Sequence, residues 1–316
     1  RGVAMLVVIY AHALNYLDGE RFAHSIVQLF STFEMPVFFV ASGALLAMSG
    51  RMRDVWTTMT RKGRALLVPY VGATLVSWGC FVGGSLPDEL LNGGFWFLRI
   101  LFFVFVLHAA TVGKGTARRG VLFVRLALAS ALAWTLATAV PCRTFRQLGY
   151  FFFWFETAFW LVRLGGEGLK MRLSAISPRQ LLGCCSFLFF VLLPVFFSVW
   201  RRFAIPPMAF CGIFFVFALS AALLGSSWTR SRACVAFVGR HSLAFYVLHV
   251  LIGQATIRFW PQLQPQDATS FYYLVALPLL ALLPALAWTL IAAIMTLPCV
   301  RRRARRRDEI QHEPHA

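Results

Sequence analysis

Residues 207–225 read PMAFCGIFFVFALSAALLG, a stretch of nineteen residues without a charged side chain. A helix that crosses a bilayer needs roughly 17–25 predominantly apolar residues, so this stretch predicts a transmembrane helix. The rest of the chain has the same character. Of its 316 residues, 59% are hydrophobic and only 13% are charged, whereas a soluble domain carries about 25% charged residues. The composition therefore predicts an integral membrane domain and excludes an ordinary soluble enzyme.

Ten apolar runs of this kind follow one another along the chain. The predicted spans are 2–18, 25–48, 65–83, 95–112, 121–140, 148–164, 181–200, 207–225, 241–258 and 270–298. Inside a bilayer every backbone polar group must find its hydrogen bond within the protein, and a helix achieves this within one segment. We therefore expect an all-α, polytopic integral membrane bundle with about ten transmembrane helices.

The basic residues between the spans predict the orientation of the bundle. If Arg1 lies in the cytoplasm, the cytoplasmic segments contain 22 Lys and Arg residues, the outer loops contain six, and two fall within spans. This bias is the positive-inside pattern, and it predicts that both termini are cytoplasmic. We accordingly divide the chain into an integral membrane domain, 1–300, and a basic cytoplasmic tail, 301–316.

Charge and cysteine content exclude several other classes. The net charge of +18 could suggest nucleic-acid binding, but the basic residues lie in short loops between apolar runs, as topology signals do. The seven cysteines form no C-x-x-C pair, so they predict neither a disulfide framework nor a zinc site. The sequence also lacks G-x-S-x-G, P-loop and H-E-x-x-H motifs, and no His has Asp four or five positions later.

Arg1 and His12 form the most specific pair of polar residues in a predicted span. Ionisable residues inside spans are costly, and by default they mark a functional site. Eleven residues at 100° each total 1100°, which is three turns plus about 20°, so both side chains lie on one helix face about 16 Å apart. This spacing predicts a cation at the cytoplasmic end and an imidazole near the middle of the bilayer. The alternative is a snorkelling terminal Arg and a His satisfied by packing.

Other polar residues in apolar runs are candidates with their own alternatives. Glu156 is surrounded by Phe and Trp in FFFWFETAFW, where an uncompensated carboxylate is expensive, so it predicts a partner (Arg99 or Arg125) or a protonated carboxyl. Arg99 either snorkels or binds an anionic acceptor. Glu34 either faces the site or is simply interfacial. His249, within AFYVLHVLI, is either a second polar group of the site or a packing His bonded to a neighbouring helix.

Five segments, taken in order, resemble a known family. They are RGVAMLVVIYAH (1–12), FEMPVFFVASG (33–43), RKGRALLVPY (61–70), FWFLRIL (95–101) and VGRHSLAFYVLHVLI (238–252). The ordered set resembles the acyltransferase 3 family of ten-helix inner-membrane acyltransferases, which opens with Arg, ten residues and His. The chain departs from the family at Glu34, where His often precedes Met-Pro, and the Gly usual in the sixth span is not evident around Glu156.

The resemblance implies that the protein is an acyl-CoA-dependent O-acyltransferase of the bacterial inner membrane. It would move an acyl group, usually acetyl from acetyl-CoA, to a hydroxyl of an envelope glycan or lipid-linked sugar. No resident cofactor, metal or nucleic-acid partner is implied. Succinyl or longer donors stay open, as does the identity of the acceptor.

The same resemblance implies roles for particular residues. His12, beside Arg1, would act as general base on the acceptor hydroxyl or carry the acyl group transiently as a nucleophile. Basic groups at the cytoplasmic face would hold the phosphates of acyl-CoA. These donor-binding residues are Arg61, Lys62 and Arg64. Acceptor-binding or supporting roles would fall to Glu34, Arg99, Glu156 and His249.

Two functions from other classes compete with this interpretation. A transporter could move a polar solute or lipid-linked sugar along the same interior groove, and many such proteins consist of repeated halves with broken helices. No internal repeat is visible here. A non-catalytic membrane scaffold would have no use for polar residues as costly as His12 and Glu156.

Overall fold

The computed structural model describes residues 1–17, 29–50, 54–112, 143–175, 177–196, 201–225 and 228–259, together with Leu128, Ala131 and Thr135. Within these ranges the regular structure is helical, and no residue lies in a strand. The helices are α1 (Gly2–Leu17), α2 (Glu34–Ser49), α3 (Val55–Lys62), α4 (Val68–Ser77), α5 (Leu86–Asn92), α6 (Trp96–Val112), α7 (Arg143–Ala175), α8 (Pro178–Phe196), α9 (Arg201–Gly225), α10 (Thr229–Arg240) and α11 (Ser242–Phe259). Two π-helical turns, Gly63–Leu67 and Trp78–Val82, flank α4. The predicted tail 301–316, the span 270–298 and most of the span 121–140, including Arg125, lie outside the described residues.

Several of these segments could cross a membrane by length and composition. In the described part of the chain they are Leu29–Ser49, Val55–Val82 and Ile205–Gly225. Two bent helix pairs raise the number to five if each pair is one span: α5 with α6, bent by 61°, and α10 with α11, bent by 82°. The all-α membrane fold is thus confirmed, whereas the count of ten spans and the cytoplasmic termini stay predictions.

The direction of α1 relative to α11 agrees with the predicted alternation of spans. Arg1, at the start of α1, lines the same cavity as Ser242 at the start of α11. Further along both helices, His12 hydrogen-bonds to His249. The two helices therefore run parallel, as the predicted first and ninth spans should.

The helix through α3 and α4 runs against α6 in the opposite direction. The Nζ of Lys62 lies 3.8 Å from the centroid of the Phe105 ring, and eight residues later the Tyr70 ring lies 6.0 Å from the Cζ of Arg99. The two helices are therefore antiparallel. This is the relation expected for the third and fourth predicted spans.

The helix around Lys62 begins earlier than the sequence predicts. The prediction made 50–64 a loop and began the span at residue 65, but the chain is helical from Val55 to Val82. The Asp54 side chain starts this helix by accepting a hydrogen bond from the backbone N–H of Thr57 at 2.7 Å, which is a standard N-cap. Pro69 lacks a backbone N–H, and its ring crowds the carbonyl four residues before it. The wider π-helical turn directly before α4 accommodates both effects.

Helix α2 packs closely against α7 at Gly43. A Cβ on this glycine would lie 2.2 Å from the carbonyl oxygen of Phe155, so no larger residue fits without moving a backbone. One turn earlier the ring of Phe39 stacks on that of Phe151, with centroids 4.4 Å apart. The Ser-Gly pair that ends the FEMPVFFVASG segment therefore serves helix contact. The packed core is strongly aromatic, which accounts for much of the Phe content.

Candidate active site

His12 and His249 meet inside the helix bundle. The Nδ1 of His12 lies 2.8 Å from the Nε2 of His249, and the two rings are nearly parallel, with centroids 5.0 Å apart and 21° between their planes. His249 is buried and His12 is half-buried. The sequence alternative in which His249 packs against a neighbouring helix is partly right, because its partner is on another helix. That partner, however, is the His of the predicted site.

The hydrogen bonds around the pair fix which nitrogen of each ring carries a proton when both rings are neutral. The Nδ1 of His249 lies 3.0 Å from the carbonyl oxygen of Phe245, which can only accept, so this nitrogen donates. The Nε2 of His249 must then accept from the Nδ1–H of His12. The lone pair of His12 is therefore on its Nε2. A base or nucleophile needs an imidazole nitrogen held in this way by a bond to the other nitrogen.

The face of α1 that carries His12 also lines a narrow cavity of about 210 Å³. Arg1 and Met5 contribute to it from α1, and Lys62 faces them from α3. Arg1 and His12 therefore lie on the same side of α1, as their spacing predicts. Met5 is seven residues before His12, or about 10 Å along the helix, so His12 lies beyond the cavity on the same helix face. Neither His12 nor His249 belongs to the described lining of this cavity.

Among the described residues, Arg1 is one of two basic residues that line this cavity, the other being Lys62. Arg1 precedes the first residue of α1, and desolvation by the surrounding atoms lowers the pKa of its guanidinium below the ordinary value. An anionic ligand would offset that cost, because an opposite charge favours the charged form. The position is therefore suited to a phosphate or carboxylate.

The three residues predicted to bind the donor do not all line one cavity. Lys62 lines the narrow cavity, whereas Arg61 and Arg64 are exposed and do not line it. The cause is the helix that replaces the predicted loop. Successive helical residues point 100° apart, so three neighbouring basic side chains cannot all face one cavity.

Glu34 lines a second cavity, of about 390 Å³, at the predicted outer side. Its carboxylate is buried, and its Oε2 has no hydrogen-bond partner among the described residues. Arg143, Arg146 and the rings of Trp96 and Tyr150 line the same cavity. Glu34 is thus not a solvated interfacial carboxylate. The combination of charged groups and aromatic rings is suited to a polar ligand with an apolar face.

Arg99 is buried and bonded to the protein, so it does not snorkel. Its Nη1 donates to the carbonyl oxygen of Leu90 at 2.5 Å, and its Nη2 donates to that of Leu91 at 2.6 Å. These carbonyls end α5, where a helix leaves acceptors unsatisfied and favours a cation. The Nη2 also donates to Thr144 on α7 at 3.2 Å. Arg99 therefore ties α5, α6 and α7 together near the outer cavity, a supporting role.

Glu156 pairs with His108, which the sequence analysis missed. The Oε1 of Glu156 lies 2.6 Å from the Nδ1 of His108, and both side chains are buried. Of the alternatives for Glu156, a bond to Arg99 is not among the described contacts, Arg125 lies outside the described residues, and a protonated carboxyl stays a prediction. The Phe155 and Phe159 rings pack against His108, and this pair is separate from the His12 site. The sequence does contain a signal for this pair, because His108 is a polar residue near the end of the predicted span 95–112. It was missed because only Arg residues were considered as partners of Glu156.

These features define an integral membrane protein with a histidine pair between two of its helices, a basic cavity and a second cavity that is both polar and aromatic. A family model described as an acyltransferase domain matches residues 1–300, so the chain belongs to the acyltransferase 3 family. The protein is therefore a membrane-bound acyltransferase, and the resemblance of the five segments is confirmed. No curated protein and no solved structure matches the chain.

Proposed function

We propose that this acyltransferase moves an acyl group, most simply acetyl, from cytoplasmic acyl-CoA to a hydroxyl of an envelope glycan or lipid-linked sugar at a bacterial inner membrane. The observation that carries this proposal is the hydrogen bond between His12 and His249. It places the lone pair on the Nε2 of His12, and O-acyl transfer needs one such group to take the proton of the attacking hydroxyl.

The reaction can be written with His12 as general base. The Nε2 of His12 takes the hydroxyl proton while the hydroxyl oxygen attacks the thioester carbonyl. The C–S bond then breaks, and the protonated His12 returns the proton to the leaving thiolate. The products are an ester and a free thiol. Throughout, the Nε2 of His249 accepts from the Nδ1–H of His12 and so stabilises the imidazolium that forms.

The alternative route uses the same lone pair as a nucleophile. The Nε2 of His12 attacks the thioester carbonyl, the C–S bond breaks, and the departing thiolate takes a proton from water, which leaves an acylated His12. The acceptor hydroxyl oxygen then attacks the acyl carbon, the C–N bond to His12 breaks, and the hydroxyl proton neutralises the hydroxide left by the first step. The two routes differ in one measurable respect. An acyl-His intermediate releases one equivalent of thiol before any acceptor is added, whereas direct transfer releases none.

The two cavities support an approach of donor and acceptor from opposite sides. The narrow cavity, with Arg1 and Lys62, would admit the thioester arm from the predicted cytoplasmic side. The outer cavity, with Glu34 and Arg143, would admit the acceptor. Buried Met35 lines both cavities, so the two approaches converge on one side chain.

The test is acyl transfer by purified protein in lipid nanodiscs supplied with labelled acetyl-CoA and a panel of envelope glycans. We expect thiol release that depends on an acceptor, together with label in the glycan. Mass analysis of glycans from cells with the wild-type protein and with His12→Gln identifies the natural acceptor. A wild-type protein that binds a glycan but never consumes a thioester would favour the transporter and refute this proposal.

A further inference from the structure

A third cavity, of about 520 Å³, adjoins Arg1 on the side away from Lys62. Arg1, Arg232 and Arg240 line it together with Ser220, and its apolar wall includes Leu223 and Val235. No Asp or Glu belongs to its described lining. Three guanidinium groups therefore lie around one cavity whose described lining contains no carboxylate, an arrangement that suits an anionic ligand.

The cavity exists because α1 starts directly against α10. A Cβ on Gly2 would lie 2.0 Å from the carbonyl oxygen of Val235, and one on Gly239 would lie 3.0 Å from the backbone nitrogen of Gly2. Two glycines thus let the backbones touch, and Arg1 comes to lie beside the arginines of α10. Close packing of the two backbones therefore brings the helix positions of the three arginines to one cavity.

The spacing of the arginines suits a ligand with more than one phosphate. Arg232 and Arg240 are eight residues apart on α10, which is about 12 Å along the helix axis. Each guanidinium can bind a phosphate through two parallel hydrogen bonds. The apolar wall offers a surface for an aromatic base. These features together match a nucleotide with separated phosphate groups.

Arg1 connects this cavity with the narrow one, since it lines both. We infer that the phosphorylated nucleotide end of acyl-CoA binds between Arg232, Arg240 and Arg1, and that the uncharged thioester arm passes Arg1 into the narrow cavity. This inference rests on the proposed use of acyl-CoA. It assigns donor recognition to two arginines of α10, which the sequence analysis did not consider, rather than to Arg61 and Arg64, which line none of the three cavities described above.

Kinetics with two donors test the assignment. The double variant Arg232→Gln/Arg240→Gln should raise the KM for acetyl-CoA at least about tenfold, since it removes hydrogen bonds to charged groups. It should leave the KM for S-acetyl-pantetheine unchanged, because that donor has the same thioester but no phosphate. Arg230→Gln is the matched control. It removes an exposed charge from the same helix, outside the cavity, and should change neither KM.

A binding measurement separates this inference from the proposed function. Adenosine 3′,5′-bisphosphate should raise the thermal midpoint of the wild-type protein but not that of the double variant, because a ligand stabilises the state that binds it. If it stabilises the wild type and no thioester is consumed, the nucleotide site stands and the proposed function fails. If acetyl-CoA is consumed but the double variant has a wild-type KM, the proposed function stands and this inference is overturned.

Phosphates of lipid headgroups are the other source of the same chemistry. Nanodiscs with and without anionic lipid distinguish them. If the wild type needs anionic lipid for stability, the double variant does not, and the KM for acetyl-CoA is equal in both proteins, then the cavity holds lipid and the nucleotide assignment is wrong.

Discussion

Replacing His249 tests the histidine pair without changing His12, the proposed base or nucleophile. His249→Leu removes the acceptor that lies 2.8 Å from the Nδ1 of His12. The proton of His12 is then no longer confined to Nδ1, and part of the population carries it on Nε2, where the lone pair is needed. His249→Gln keeps a carboxamide oxygen that can still accept this hydrogen bond.

The expected loss has a lower and an upper bound. A hydrogen bond between neutral groups contributes about 0.5–1.5 kcal/mol, and one to a charged group about 1.5–3 kcal/mol. The bond therefore strengthens by roughly 1–1.5 kcal/mol when His12 becomes an imidazolium, which is about five- to tenfold in rate. The whole contribution of a general base, about 10² to 10⁴, is the ceiling. We expect His249→Leu to lower kcat between these bounds and His249→Gln to stay within about tenfold of wild type.

The assay is steady-state thiol release from acetyl-CoA in one membrane preparation, with insertion of each variant checked by an independent label. The KM for acetyl-CoA should stay near the wild-type value, since the pair does not contact the basic end of the cavity. His12→Ala and His12→Gln serve as references and should abolish transfer. A His249→Leu protein with wild-type kcat would refute the tautomer argument. A His12→Gln protein with wild-type kcat would remove His12 from the mechanism altogether.

Three other predictions address topology, donor and stability. A reporter fused after Ala316 should report cytoplasm and one inserted at Gly84 the outside; reversed results at both sites would overturn the orientation. Lys62→Gln should raise the KM for acyl-CoA with little change in kcat, whereas exposed Arg61→Gln should change neither; equal effects would contradict the placement of the donor. Glu156→Leu should destabilise the protein by roughly 1–3 kcal/mol because it leaves His108 buried without its hydrogen-bond partner, and an unchanged thermal midpoint would argue against that pairing.

The sequence predicts those parts of the site that depend on one helix. Arg1 lies just before α1, and His12 lies within it. Because α1 is continuous, the angle between these two positions around the helix axis is the one that their spacing predicts. The partner of His12 is 237 residues away, and no periodicity within one segment can indicate such a contact. The same limit applies to Arg232, which comes beside Arg1 only through the glycine contact between α1 and α10.

Other differences have a local cause that the sequence does contain. Asp54 followed by Thr57 is a helix start, and it indicates that Arg61 to Arg64 are helical and point in different directions. The sequence analysis considered only Arg residues as partners of Glu156, and it therefore missed His108. An imidazole is a hydrogen-bond partner whether or not it is charged, and His108 stands in a run that otherwise looks wholly apolar.

The position of Met35 favours an acyltransferase over a transporter on physical grounds. It is buried, and it lines both the narrow cavity and the outer cavity, so a solute crossing between them would have to displace it completely. An acyl transfer makes a smaller demand. In the proposed reaction the nucleotide end of the donor would stay on the basic side and the acceptor on the other, while only the acyl group would change sides. A single flexible methionine side chain can yield to a group of that size without opening a continuous aqueous path, so this partition suits group transfer better than transport.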